Sequence, residues 1–268
     1  MKNSIIISSI VLISLSLMAF GINNMDELMK GKAKTSSSSC LAFGKQIKEG
    51  INDKVYSDFF YDMGPRFEAV KKGDLDNARS IIDFLPREQT QAVVSYKSVS
   101  VIIIIDDRKT DIRATGDSDV LTNNQIKLLR SSDYSTNFLI RAEYLEMNKE
   151  TNELEESYFS PYLTIVPEKQ AEYEGGKEAL LKYLREYNKE NTANLNEDKL
   201  QPAKLYFTVT KKGTISNIKL DRTSGYTEID ETMIELITKA PGKWKPAENS
   251  RGEKVNQELV VSFGMVGC

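Results

Sequence analysis

The chain has 268 residues, enough for one large domain or two small ones with real cores. Its 36 Lys and Arg against 39 Asp and Glu leave a net charge of −3 and a pI near 5.4, without the basic excess of a nucleic-acid binder. There is no histidine, which removes the commonest general base and the commonest zinc ligand together.

The chain opens with "MKNSIIISSIVLISLSLMAFG". Lys2 gives a weakly positive start, Ser4 to Phe20 form an apolar stretch diluted by serine, and Ala19-Phe20-Gly21 has the small-x-small spacing of a signal-peptidase site. Residues 1–21 are therefore expected to be a signal peptide of a protein exported to the periplasm. The other reading is an uncleaved anchor in the inner membrane facing the periplasm, although the stretch is short against the ~20 residues of a span. Residues 22–54 are polar, with a Lys/Ser run, and read as a linker. Cys40 and Cys268 stand far apart. Export permits a disulfide between them, and two unpaired thiols fit the sequence equally.

Residues 55–165 are expected to form an α+β domain. "DLDNARSIIDFL" spaces Leu75, Ala78, Ile81, Ile82 and Leu85 as one helical face over 74–85, ended by Pro86. The β-branched run Val99–Ile105 reads as a buried strand, and Asp106 to Lys109 as the turn into a second. Thr122 and Gln125 match a capping box at the start of the next helix. Residues 137–147 and 154–166 read as two long strands of a hairpin. Pro161 places the second at a sheet edge or at a bulge.

The pattern restarts over 166–268. Leu180, Leu181, Leu184 and Tyr187 share a helical face. "AKLYFTVT" alternates as a half-buried strand and turns at Lys211-Lys212-Gly213 into "TISNIKLDR". Asp230 is expected to cap a helix carrying Met233, Ile234 and Ile237, which Pro241-Gly242 ends. Trp244, the one tryptophan, follows with Pro246, and a last strand covers Val255 to Phe263. Element order is thus helix, strand, strand, helix, strand. Residues 55–165 show the same order, which suggests a diverged repeat with an added strand; chance agreement between two small α+β units is the other explanation.

Several features of residues 166–268 together resemble the TonB C-terminal domain family. They are Tyr173-Glu174-Gly175-Gly176 before the helix, the "LYFTVTKKGTISNIKL" hairpin, Ser224-Gly225, Lys243-Trp244-Lys245-Pro246-Ala247, and Gly252 to Val255 ahead of the last strand. The resemblance implies an αββαβ periplasmic domain that binds a protein partner, such as an outer-membrane transporter, by adding a strand to the edge of its last strand. Val255, Gln257, Leu259, Val261 and Phe263 would carry that edge. An alternative implied by the same family is a membrane-anchored energy transducer supporting outer-membrane transport. This chain differs from the transducers in lacking histidine, in its scattered prolines, and in carrying "NTANLNEDKLQPA" before the first strand of the hairpin.

Trp244 and Pro246 read as a packing anchor, and Gly175-Gly176 as a turn rather than an anion site, lacking the Lys-Ser of a phosphate loop. Asp106-Asp107 and Asp117-x-Asp119 read as turns, since their spacing makes no calcium loop. No serine or cysteine has a partner base, so neither catalysis nor a cofactor nor a metal is expected.

Overall fold

The computed structural model describes residues 59–193 and 195–266, all of them within one compact unit of the chain. The expected signal peptide, the linker, Cys40 and Cys268 lie outside the described residues. Within them the chain is a mixed α+β protein, richer in strand than in helix, built on two open sheets.

The first lobe begins with β2 (Glu68–Lys71), preceded by β1 (Phe60–Gly64), which belongs elsewhere. Then come α1 (Lys72–Asn77), a 3-10 turn (Ile81–Asp83), α2 (Arg87–Thr90), β3 (Val93–Ile105), β4 (Arg108–Gly116), α3 (Asn123–Ser131), β5 (Asn137–Met147), β6 (Leu154–Phe159) and β7 (Tyr162–Val166). The sheet runs β2-β7-β5-β3-β4, with β6 continuing the line of β7 beside β5. Val99, Val101, Phe138 and Ile140 on one face meet Leu75, Ile81 and Leu129 in a common core.

The helix expected over 74–85 is broken in two. The Ser80 hydroxyl accepts the Ile82 N–H, and the Asp83 carboxylate accepts the N–H groups of Arg79 and Ser80. That local capping box outcompetes continuation of the helix. The apolar spacing still serves its purpose, since Leu75, Ala78, Ile81 and Leu85 are all buried; Ile82 alone faces outward.

Thr122 caps α3 as its sequence foretells. Its hydroxyl accepts the Gln125 N–H (3.3 Å), and the Gln125 side chain accepts the Thr122 N–H (2.8 Å). The Gln125 amide also donates to the Val99 carbonyl (2.9 Å), tying the helix to β3. Asp106 and Asp107 both take positive φ and close β3 onto β4 in a two-residue turn. Pro161 parts β6 from β7 without shifting the register against β5, and β6 lies at the sheet edge.

The second lobe contains β8 (Glu172–Tyr173), α4 (Gly176–Tyr187), a 3-10 turn (Glu197–Lys199), β9 (Pro202–Val209), β10 (Ile215–Arg222), α5 (Thr227–Thr238), β11 (Trp244–Lys245), β12 (Ala247–Glu248), β13 (Lys254–Val255) and β14 (Gln257–Gly264). Its sheet runs β1-β14-β9-β10, all antiparallel. Residues 59–64, expected in the first domain, therefore complete the second sheet. Phe59, Tyr61 and Met63 join Phe207, Phe263, Leu180 and Met233 in its core. The order β14-β9-β10 matches β5-β3-β4 in the first lobe, and in each a helix links the outer strand of the hairpin to the third strand.

Two helix details differ from expectation. Tyr187 is 66% exposed and stacks on Tyr183 instead of entering the core. Asp230 lies one turn inside α5, whose N-cap is Tyr226; its carboxylate accepts the Ser224 N–H (2.9 Å) and the Thr223 hydroxyl (2.5 Å). It thus fixes the turn ahead of the helix while its charge suits the helix N-terminus.

Candidate functional site

The last strand was expected to offer an open edge, and it does not. From Val260 to Gly264, β14 pairs with β1, and over its whole length it pairs with β9 on the other side. Further back, the Glu258 N–H donates to the Ser135 hydroxyl of the first lobe (3.0 Å). The expected partner-binding residues accordingly have internal roles. Leu259, Val261 and Phe263 alternate into the core, as a strand with one buried face requires. The Gln257 side chain accepts the Ala171 N–H (2.7 Å) and donates to Gln170 (3.0 Å). Val255 pairs with Ala247 in the short β12–β13 ribbon.

β1 is bound by more than its ladder. Tyr61 is buried, the Asn188 amide donates to its hydroxyl (3.1 Å), and burial raises its pKa to about 12 despite that bond and the Arg185 charge. Lys177 of α4 forms an ion pair with Asp62.

Trp244 is a packing anchor. It is 7% exposed, and its ring lies 5.3 Å from Tyr173 and 5.4 Å from Phe207, so its ring contacts join β8 to β9. Gly213 makes room for it: at φ +76°, a Cβ there would lie 2.5 Å from the Trp244 carbonyl oxygen. Pro246, between β11 and β12, sits against the same glycine. Gly175 and Gly176 both hold φ +82° at the entry to α4, the left-handed turn that glycine adopts without steric cost.

Between the lobes lies a polar cleft of about 330 Å3, bordered by Asp107, Asn137, Tyr206, Lys219, Asp221 and Glu258. Arg66, on the segment joining β1 to β2, reaches two of the carboxylates that border it. Its side chain is 2% exposed, bonds Asp107 from the β3–β4 turn and Asp221 from β10 (3.4 Å), and stands 5.1 Å from the Tyr206 ring and 5.3 Å from Phe67. Arg222 reaches the same Asp107 at 2.8 Å. Burial alone would raise the Asp107 pKa, but the two arginines outweigh it and hold the carboxyl below its usual value. Burial raises Tyr206 and Glu258 and lowers Lys204, the last also repelled by Arg66 and Arg222. With both arginines engaged by carboxylates, the cluster works as an ionic joint between the lobes.

A second opening, of about 490 Å3, lies between β4 and α3, bordered by Asp111 to Thr115 and by Asn124, Lys127, Leu128 and Ser131. β4 is the terminal strand of its sheet: β3 pairs one side, and among the described residues no strand pairs the other. One irregularity at Thr110–Ile112 interrupts β4, leaving Arg113–Gly116 in straight register with β3. Ile112 is 52% exposed at this opening, and Leu128 is half-buried beside it. β10, the corresponding edge of the other sheet, is broken twice and carries Asn217 at positive φ.

Neither place was legible as a site in the sequence. Nothing in the local pattern around Arg66 marks it as buried. The β4 edge had one legible sign, the charged Arg108-Lys109 pair after the two-residue turn.

Among the described residues, no group of three or more Cys, Asp or Glu stands close enough to hold a metal ion, and no helix is long and apolar enough to cross a membrane. Comparison with known proteins gives no match to a family model, a curated protein or a solved structure.

Proposed function

We propose that this chain is an exported, non-enzymatic protein of the cell envelope that holds a protein partner by strand addition. In this reading its second lobe is a TonB C-terminal-like αββαβ unit, the first lobe is a diverged copy of it, and the apolar first 21 residues direct export to the periplasm. The sequence likeness over 166–268 and the matching strand orders support it.

The docking edge is β4, not β14. The observation that carries this is the outer edge of β4, which no described strand pairs, running beside α3 with an opening between them large enough for side chains of an added strand. Main-chain hydrogen bonds along Arg113–Gly116 would supply affinity, and the opening would supply selectivity. The transducer alternative requires the partner strand at β14, where β1 already lies.

Photo-crosslinking in the native envelope tests the proposal, with the reactive group placed in turn at Ile112 and at Ser262. Capture of a protein from Ile112 alone is the expected result. Capture from Ser262 alone would overturn the β4 assignment and favour a partner that displaces β1.

A further inference from the structure

On opposite sides of the first sheet, β4 and β6 present exposed edges of opposite charge, while β2 covers the neighbouring β7. β4 carries Arg108, Lys109 and Arg113, and Lys127 stands beside it on α3, against one carboxylate, Asp111. On the other side of the sheet, β6 carries Glu155 and Glu156 after Glu153 and pairs only with β5 among the described strands. We infer that the partner strand is the β6 edge of a second copy of this chain, which rests on the reading of β4 as a docking edge.

Strand direction favours the pairing. β4 and β5 both run antiparallel to β3, and β6 runs antiparallel to β5. A second copy moved sideways without reversal, and slid along the strand direction so that β6 rather than the β2-covered β7 faces β4, sets its β6 antiparallel to β4, extending the sheet with the same kind of ladder it has within. Side-chain faces also agree. Ala114 lies opposite Val101 and Phe159 opposite Ala142, which puts Glu155 and Ser157 on the helix-covered face, near Lys127. Arg113 and Lys109 lie opposite Ile102 and Ile104 on the other face, which Glu156 and Tyr158 of the incoming strand share.

Charge sets the pairing rule. Two β4 edges repel, as do two β6 edges, while β4 with β6 attracts. Glu156 pairs with Lys97 and Arg113 with Asp111 in exposed ion pairs of little net worth, and Glu155 accepts an exposed hydrogen bond from the Asn148 amide (2.6 Å), so exchanging these partners costs little. Such a contact is head-to-tail and leaves a free edge at each end, so it does not close at a dimer. It is small, hence weak and salt-sensitive.

Sedimentation of the full chain at low salt over rising concentration is the test. The average mass should climb without a plateau at two copies and fall when salt is added. A variant with Glu155→Lys and Glu156→Lys, and another with Arg113→Glu and Lys127→Glu, should each lose self-association about tenfold or more. Mixing the two should restore it, which also shows that both are folded. The milder Glu156→Gln and Arg113→Gln should each weaken association, and their mixture should regain association only as far as pairs, because the one contact it offers between two unaltered edges cannot propagate. A chain that stays monomeric, a plateau at two copies, or a mixture that fails to associate would overturn the inference. A monomeric chain whose Ile112 position still captures another envelope protein would sink self-pairing alone and leave β4 as the docking edge.

Discussion

Each lobe has to cover the outer side of its third strand, and the two do so by different routes. In the first, β5 is covered by β6 and β7, which follow it directly in the chain through a short turn. In the second, β14 is covered by β1, from the opposite end of the described residues. The same geometric problem is solved once locally and once at long range. Stability of the second lobe therefore depends on residues that a division of the chain at 165/166 would assign to the first.

Removing the anchor of β1 should break this comparison most strongly. Tyr61→Ala deletes a buried ring and takes from the Asn188 amide N–H its Tyr61 acceptor, a loss of about 3–5 kcal/mol. Amide exchange should accelerate in β14 and β9 while β3 and β5 keep their protection; equal acceleration in both sheets would show that the lobes do not open separately.

Gly213→Ala probes the second lobe without touching β1. The left-handed backbone costs about 1–2 kcal/mol in a residue with Cβ, and the contact with the Trp244 carbonyl adds to that. Denaturant midpoints should fall, with Trp244 fluorescence reporting the change. An unchanged midpoint would mean that the tight approach at Trp244 relaxes freely.

The smallest effect belongs to the joint between the lobes. Arg66→Met should cost about 2 kcal/mol, below the loss for a fully buried pair because Asp107 and Asp221 keep partial exposure. The sign with pH follows from the lowered Asp107 pKa. Its contribution is complete above the ordinary aspartate value, near pH 4, and disappears as pH falls through the depressed value in the folded chain. Stability measured against pH should show this acid loss in the native chain and a smaller one in Arg66→Met. Identical profiles would remove Arg66 from the account.

What the sequence disclosed follows the same division between local and distant. The capping box at Thr122 and Gln125, the full extent of β5, the turn at Asp106-Asp107 and the buried face of Leu180, Leu181 and Leu184 all depend on neighbours a few residues apart, and these were legible. The break at Ser80 was harder to read, because the apolar spacing of Leu75 to Leu85 continues across it while the hydroxyl and the Asp83 carboxylate redirect the backbone. β1 could not be recognised as the cover of β14. An alternating strand carries no label for which distant edge it joins, and the family likeness pointed to that edge as open. Arg66 was hidden for a related reason: its burial is created by residues of both lobes closing around it.

The pairing of β1 with β14 also governs the order of events during folding. Its two strands are separated by about 200 residues, so contact between them closes one of the longest loops the chain can form. As the exported chain is delivered from its N-terminal end, the first sheet can assemble before the second, yet β1 must wait, unpaired and with Phe59, Tyr61 and Met63 uncovered, until β14 has arrived. That interval leaves an apolar strand available to a holding chaperone, and the second lobe is completed after the first.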